Sequence, residues 1–178
     1  MPAVFQIVSR SSGKALAQSN SGFAPQDAAA PTAPGAEPSP PPPGAGLFVV
    51  QLTQSAQDPT QLWVLTPQDS AQDVLIQPFG PLDGAIGLFD LSSGEGVEPE
   101  SGKRGDCLMT LPAENGVVWR ISEHPPYFFL LEGPNDLLMD LPGGTTADTQ
   151  IIQIFTRNEH NNQQWTFLPV FAQLGNDG

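Results

Sequence analysis

The feature that most constrains the fold is a unit of short strands that recurs three times and ends each time at a tryptophan. The most complete copy spans residues 127–169, where four short apolar runs are separated by clusters of Gly, Pro, Asn and Asp. Trp63, Trp119 and Trp165 are the only tryptophans, and each lies in the last predicted strand of its copy. Such internal repetition predicts a closed all-β architecture, because closure hides the strand edges.

The three repeats are predicted at about 4–66, 73–122 and 127–169, within a single domain that spans residues 1–178. This length suits one domain with a core and is short for two. No sustained period of 3.6 residues is present, so little helix is expected. The strands are predicted at 4–8, 14–18, 47–52, 61–66, 73–77, 88–91, 107–111, 117–121, 127–131, 137–141, 150–156 and 163–168.

Two insertions interrupt this pattern. Residues 22–46 are rich in Pro, Ala and Gly, which predicts a flexible extended loop in the first repeat. A tolerated surface insertion is favoured there over a partner-binding proline segment. Residues 92–105 are rich in Gly, Glu and Ser and are predicted to be a loop. Its neighbourhood carries four carboxylates that we expect to be solvated, with a cation contact as the alternative: Glu95, Glu98, Glu100 and Asp106.

The composition excludes several functions. The chain carries 19 acidic and 6 basic residues, a net charge of −13, so it repels phosphate and is an unlikely partner for nucleic acid or an anionic membrane. No apolar stretch is long enough for membrane insertion. The single Cys107 permits no internal disulfide and is expected to be an inert buried thiol. No signal-peptide pattern is visible at the N-terminus, so we expect a cytoplasmic protein.

No motif for catalysis, a cofactor or a metal is present, so the chain is expected not to be an enzyme. The two histidines, His124 and His160, are too few and too far apart in sequence to indicate a metal site. His160 is instead expected to line a loop near the end of the third repeat.

The tryptophan motifs themselves resemble a known family. Residues 162–167 read NQQWTF and resemble the N-Q-x-W-x-[FL] motif of the ricin-B-type β-trefoil lectins. Residues 61–63 (QLW) are a second Q-x-W, and residues 117–119 (VVW) a degenerate third. Residues 5–16 (FQIVSRSSGKAL) resemble the family's first two strands. The resemblance implies a single β-trefoil of three four-stranded repeats, most like the small cytoplasmic fungal members.

The resemblance also implies a sugar site in the third repeat. In the family, an Asp after the second strand, an aromatic residue on the third and an Asn before Q-x-W together hold one sugar. A sugar has an apolar C–H face and a polar edge, so it needs one flat ring and a few fixed acceptors and donors. Phe in place of the usual Trp or Tyr implies weak affinity. The implied set is Asp140, Gly143, Gln153, Phe155, Asn158, Asn162 and Gln163, with Gly144 beside it.

The other two repeats lack this set. The first has Ala17, Thr53 and Thr60 at the three positions, and the second keeps Asp90 but has Met109 and Gly116. One site is therefore expected. Each residue also has a structural alternative: Asp140 and Asp90 as acceptors for turn amides, Phe155 as core, and Gln163 as the residue that orients Asn162.

The sequence thus predicts a non-enzymatic lectin that recognises terminal galactose or N-acetylgalactosamine-type glycans. A single weak site would need avidity, which a homodimer supplies. The alternative is a β-trefoil protease inhibitor that acts through residues 22–46 or 92–105 without binding sugar. A third and weaker hypothesis is a scaffold that has lost sugar binding.

Overall fold

The computed structural model describes residues 3–19, 46–80 and 84–170, which contain thirteen β-strands and no α-helix. The strands are β1 Val4–Ser9, β2 Ala15–Gln18, β3 Val49–Leu52, β4 Trp63–Pro67, β5 Asp73–Pro78, β6 Ala85–Asp90, β7 Glu95–Val97, β8 Cys107–Leu111, β9 Val118–His124, β10 Phe128–Glu132, β11 Leu138–Asp140, β12 Gln153–Phe155 and β13 Trp165–Pro169. Short 3-10 turns lie at Pro59–Gln61, Ala113–Asn115, Pro134–Asp136, Pro142–Gly144 and Asn161–Gln163.

Six strands close into a barrel. β1 pairs with β4 on one side and β13 on the other. The ring continues antiparallel from β4 through β5 and β9 to β10, and β10 pairs back onto β13. Closure of this kind satisfies the backbone hydrogen bonds of both edges of every barrel strand.

Six of the seven remaining strands form three pairs attached to the barrel, and the seventh, β7, pairs with β6. β2 pairs with β3, β6 with β8, and β11 with β12, all antiparallel. β12 also pairs with β8 through Gln153 and Cys107. The pairing of β11 with β12 places Asp140 directly opposite Gln153.

The three tryptophans are core residues, as predicted. Each is 0% exposed and lies on a barrel strand. The indole Nε1 of Trp63 donates to the Leu16 carbonyl at 3.0 Å, and that of Trp165 donates to the Met139 carbonyl at 3.1 Å. The buried Nε1 of Trp119 has no acceptor within the described residues.

The sequence predictions were wrong at several places. β7 lies inside the predicted loop 92–105, where it pairs with β6. Asp106 is buried rather than solvated, and its Oδ2 accepts the Lys103 amide at 2.8 Å in place of water. The strand predicted over 150–156 extends only over β12, and the 3-10 turn Asn161–Gln163 replaces the first residue of the strand predicted over 163–168.

Cys107 is buried and free, as predicted, and burial raises the pKa of its thiol to about 11. Residues 20–45, and with them nearly all of the Pro/Ala-rich insertion predicted over 22–46, lie outside the described residues, as do residues 81–83 of a predicted turn. Within the part of the chain that is described, no helix has the length and apolar character needed to cross a membrane.

Candidate functional site

A buried carboxylate forms the centre of the candidate site. Asp140 ends β11 and is 2% exposed. Its Oδ1 accepts Asn162 Nδ2 at 2.8 Å and Gln163 Nε2 at 2.9 Å, and its Oδ2 accepts Gln153 Nε2 at 3.2 Å. All three donors are side-chain amides, so the structure does not show the alternative role as an acceptor for turn backbone.

The charge on Asp140 is set by two opposing effects. Burial raises the pKa of the carboxyl, while hydrogen bonds from Gln153, Gln163 and Asn162 lower it, and the net shift is upward. An ionised carboxylate accepts about four hydrogen bonds. Three are used here, two on Oδ1 and one on Oδ2, which leaves one acceptor position on Oδ2 without a donor among the described residues.

Phe155 supplies an aromatic face. It ends β12, is half-buried and lines the same cavity as Asp140. The Arg104 guanidinium carbon lies 4.0 Å from the ring centroid. The ring thus contacts both the cavity and a cation that the sequence did not indicate.

The turn after Asp140 is built from glycine. Gly143 and Gly144 have φ angles of 63° and 61°, which glycine adopts without strain. Ser11 Oγ donates to the Gly144 carbonyl at 3.1 Å. A Cβ added to Gly144 would lie only 2.8 Å from the same Ser11 Oγ. The turn thus packs closely against the β1–β2 hairpin, and its backbone borders the cavity.

Gln163 has a supporting position. It is fully buried and, besides Asp140, its Nε2 donates to the Thr156 carbonyl at 2.9 Å, while its Oε1 accepts the Asn158 amide at 2.9 Å. Gln61 in the first repeat makes the same pair of backbone bonds, to Thr53 and Ser55, and its Nε2 also donates to the Asp58 carboxylate at 3.3 Å. This shared geometry indicates a structural glutamine that fixes Asp140 and the loop that carries Asn158.

The cavity is open and has a volume of about 1000 Å³, at the upper end of the range for ligand pockets. Six of the seven predicted site residues line it, and Gln163 lies behind them. His160 lines it as expected, whereas the sequence did not indicate Ser11, Glu159 or Asn161. The lining residues are Ser11, Asp140, Pro142, Gly143, Gly144, Gln153, Phe155, Asn158, Glu159, His160, Asn161 and Asn162.

The second repeat offers no comparable set. Asp90 accepts the amide and hydroxyl of Ser92 at 2.8 and 2.6 Å and pairs with Lys103 at 2.9 Å. These contacts, Ser92 first, hold the pKa of Asp90 well below its usual range. Met109 is buried at the ring position. Asp90 is therefore a turn acceptor, and among the described residues no group of His, Cys, Asp and Glu could hold a metal ion.

No family model matches the sequence, and no curated protein matches it. Solved structures do match. Rhizoctonia solani agglutinin has a TM-score of 0.67 at 14% identity, covering 95% of this chain and 96% of that one. The designed threefold symmetric protein ThreeFoil has a TM-score of 0.65 at 19% identity, covering 93% and 97%.

A third match is the Macrolepiota procera ricin B-like lectin, solved in complex with lactose. Its TM-score is 0.61 at 14% identity, and the match covers 92% of this chain and 93% of the lectin. At such identities a structural likeness reports on the fold and leaves function to the chemistry of the cavity. The comparisons therefore show that this all-β chain has the β-trefoil fold.

Proposed function

We propose that the protein is a carbohydrate-binding protein without enzymatic activity, and that it binds terminal galactose or N-acetylgalactosamine-type glycans in the cavity around Asp140. One observation carries the proposal: a buried carboxylate, fixed by three amides, lines a cavity that is also lined by an aromatic ring. Rigid acceptors beside a flat apolar surface match the polar edge and the C–H face of a pyranose.

Each residue then has a defined task. Asp140 accepts a bond from a sugar hydroxyl, and Asn162, which is half-exposed at the cavity, fixes a second hydroxyl. Phe155 stacks on the C–H face. Gly143 lets backbone approach the ligand, and the larger polar groups around the rim, Gln153 and Asn158, contact the remaining hydroxyls while Gln163 holds the set in place.

The choice of galactose-type sugars has two supports. The first is the resemblance of residues 162–167 to the ricin-B-type motif. The second is the lactose complex of the Macrolepiota procera lectin, which shares the fold at low identity. A single open site of this size implies a dissociation constant of roughly 0.1–1 mM.

The same proposal covers the organisation of the chain. In this proposal the barrel strands and the three attached pairs form three four-stranded repeats, with β7 as an additional strand, and only the third repeat retains a sugar site. One weak site gives useful retention on a glycan surface only when several copies act together. A homodimer would supply that avidity.

A glycan array on the wild type and three single variants tests the function. Wild type is expected to bind glycans that end in galactose or N-acetylgalactosamine, and Asp140→Ala is expected to lose at least about tenfold in affinity because a charged acceptor disappears. Asp90→Ala is the matched control and should bind like wild type. Phe155→Ala, which leaves the amide network intact, should also weaken binding.

A wild-type protein that is folded by circular dichroism and binds no glycan would contradict the proposal. The next test would then be a panel of serine and cysteine proteases, because inhibition without glycan binding favours the protease-inhibitor alternative. Failure of both tests favours a scaffold that has lost its sugar site.

A further inference from the structure

We propose that Arg104 makes this site selective for glycans that carry an anionic substituent, a carboxylate or a sulfate ester, next to the sugar held by Asp140. The inference rests on the proposed function and names the substrate class of the same cavity. It follows from the pairing, orientation and position of the Arg104 side chain.

The first observation is that Arg104 is unpaired. All six Lys and Arg residues lie in the described segments, and four of them bind carboxylates: Lys14 with Asp148, Lys103 with Asp90, Arg120 with Asp73, and Arg157 with Glu132. Arg10 donates to the Gln164 side chain. Within these segments Arg104 has neither a carboxylate partner nor a hydrogen-bond acceptor, in a chain where carboxylates outnumber cations by 19 to 6.

The second observation is that the guanidinium is held in place. At 4.0 Å from the Phe155 centroid it lies on the ring, and stacking leaves the N–H groups at its perimeter free to donate. Its loop is anchored on both sides, since Asn135 Nδ2 donates to the Gly102 carbonyl at 2.7 Å and the Gly105 amide donates to the Ile154 carbonyl at 2.8 Å. A planar donor fork fixed in this way is preorganised for a carboxylate or sulfate.

The third observation is where Arg104 lies relative to Asp140. Strand β12 has β11 with Asp140 along one edge, and the segment that follows Arg104 bonds to Ile154 along the other. An anion on Arg104 therefore lies across Phe155 from Asp140. Such an anion is part of a substituent on the bound sugar, and it is separate from the hydroxyl groups that donate hydrogen bonds to Asp140.

Arg104 does not itself line the cavity, but it contacts Phe155, which does. The cavity volume of about 1000 Å³ leaves room beyond one sugar ring. Asp140 and Glu159 are the carboxylates among the lining residues, and both would repel an anion. Near the Phe155 ring, a negatively charged substituent is therefore attracted by Arg104, whereas beside Asp140 or Glu159 it would be repelled.

The test compares lactose with 3′-sialyllactose and lactose 3′-sulfate by calorimetry at low ionic strength. Wild type is expected to bind at least one of the charged ligands about three- to tenfold more tightly than lactose, the gain of a partly exposed charge-assisted contact. Arg104→Gln should lose this preference while its affinity for lactose stays within about twofold. Arg120→Gln removes the same charge from a residue that neither lines the cavity nor stacks on Phe155, and it should keep the preference.

The outcomes separate the two proposals. Preference for 3′-sialyllactose alone assigns a carboxylate ligand, and preference for the sulfate alone assigns a sulfated one. The inference is overturned if wild type binds all three ligands equally, or if Arg104→Gln still prefers a charged ligand over lactose. Either result is compatible with the proposed sugar site. A wild-type protein that binds none of the three ligands overturns the proposed function itself.

Discussion

At the residue scale, Asp140 is the group whose charge is proposed to govern sugar binding. In the proposed site the ionised form accepts a sugar hydroxyl, and burial raises the pKa of this carboxyl above its usual 3.8. Sugar affinity is therefore expected to be constant near neutral pH and to fall about tenfold per pH unit once the pH drops below the raised pKa. Calorimetry with lactose between about pH 3.5 and 8 measures this.

The control for that titration is Asp140→Asn, which cannot ionise at this position. Its binding should be weaker than that of wild type at neutral pH and should lack the acid decline. A decline centred at or below 3.8 in wild type, or the same decline in the variant, would contradict the role assigned to the carboxylate.

The tryptophans provide a second residue-scale prediction, with a built-in control. Trp165 and Trp119 are both fully buried, but only the Trp165 indole has an acceptor, the Met139 carbonyl. Replacing either by Phe removes a similar volume, whereas Trp165→Phe also leaves a buried carbonyl unpaired. Trp165→Phe is expected to lower the free energy of unfolding by about 1–2 kcal/mol more than Trp119→Phe. Urea unfolding of the pair measures the difference, and equal losses would contradict the reasoning.

At the element scale, the Pro142–Gly144 turn links stability to the site. Gly144→Ala and Gly94→Ala both place Ala at positive φ and should each cost about 1 kcal/mol. A Cβ at Gly94 meets no atom within 4 Å, but one at Gly144 meets Ser11 Oγ at 2.8 Å beside the cavity. Only Gly144→Ala is therefore expected to weaken lactose binding as well, which urea unfolding and calorimetry together test. Equal lactose affinity in both variants would show that the turn does not shape the site.

Elements with strong local patterns were predictable from the sequence. β8 has the predicted bounds, because four of its five residues are apolar, the fifth is the β-branched Thr110, and Pro112 follows. β7 was missed because Glu95–Val97 carries one apolar residue and a glycine, and only its pairing with β6 makes it a strand. The burial of Asp106 was missed for a related reason. A carboxylate near exposed charged residues is expected to be solvated, and only the turn in which Asp106 accepts the Lys103 amide shows otherwise.

At the scale of the whole molecule, the site divides into a local and a non-local part. Asp140, Phe155 and Asn162 belong to one repeat, so a motif within 23 residues was enough to predict them. Ser11 contacts the Gly144 turn across 133 residues of chain, and Arg104 reaches Phe155 from a different repeat. Barrel closure and the pairing of β12 with β8 bring these groups together, and neither was visible in the local sequence.

The most direct test of the central claim is to map a lactose titration by amide chemical shifts on the isotope-labelled protein, up to about 10 mM ligand, well above the expected dissociation constant. The largest shifts are predicted at the cavity, for Gly143, Gly144, Phe155 and Asn162, with the amides near Asp90 and Met109 unchanged. Shifts centred on the second repeat, or no saturable shift anywhere, would contradict the claim that the cavity around Asp140 is a sugar site.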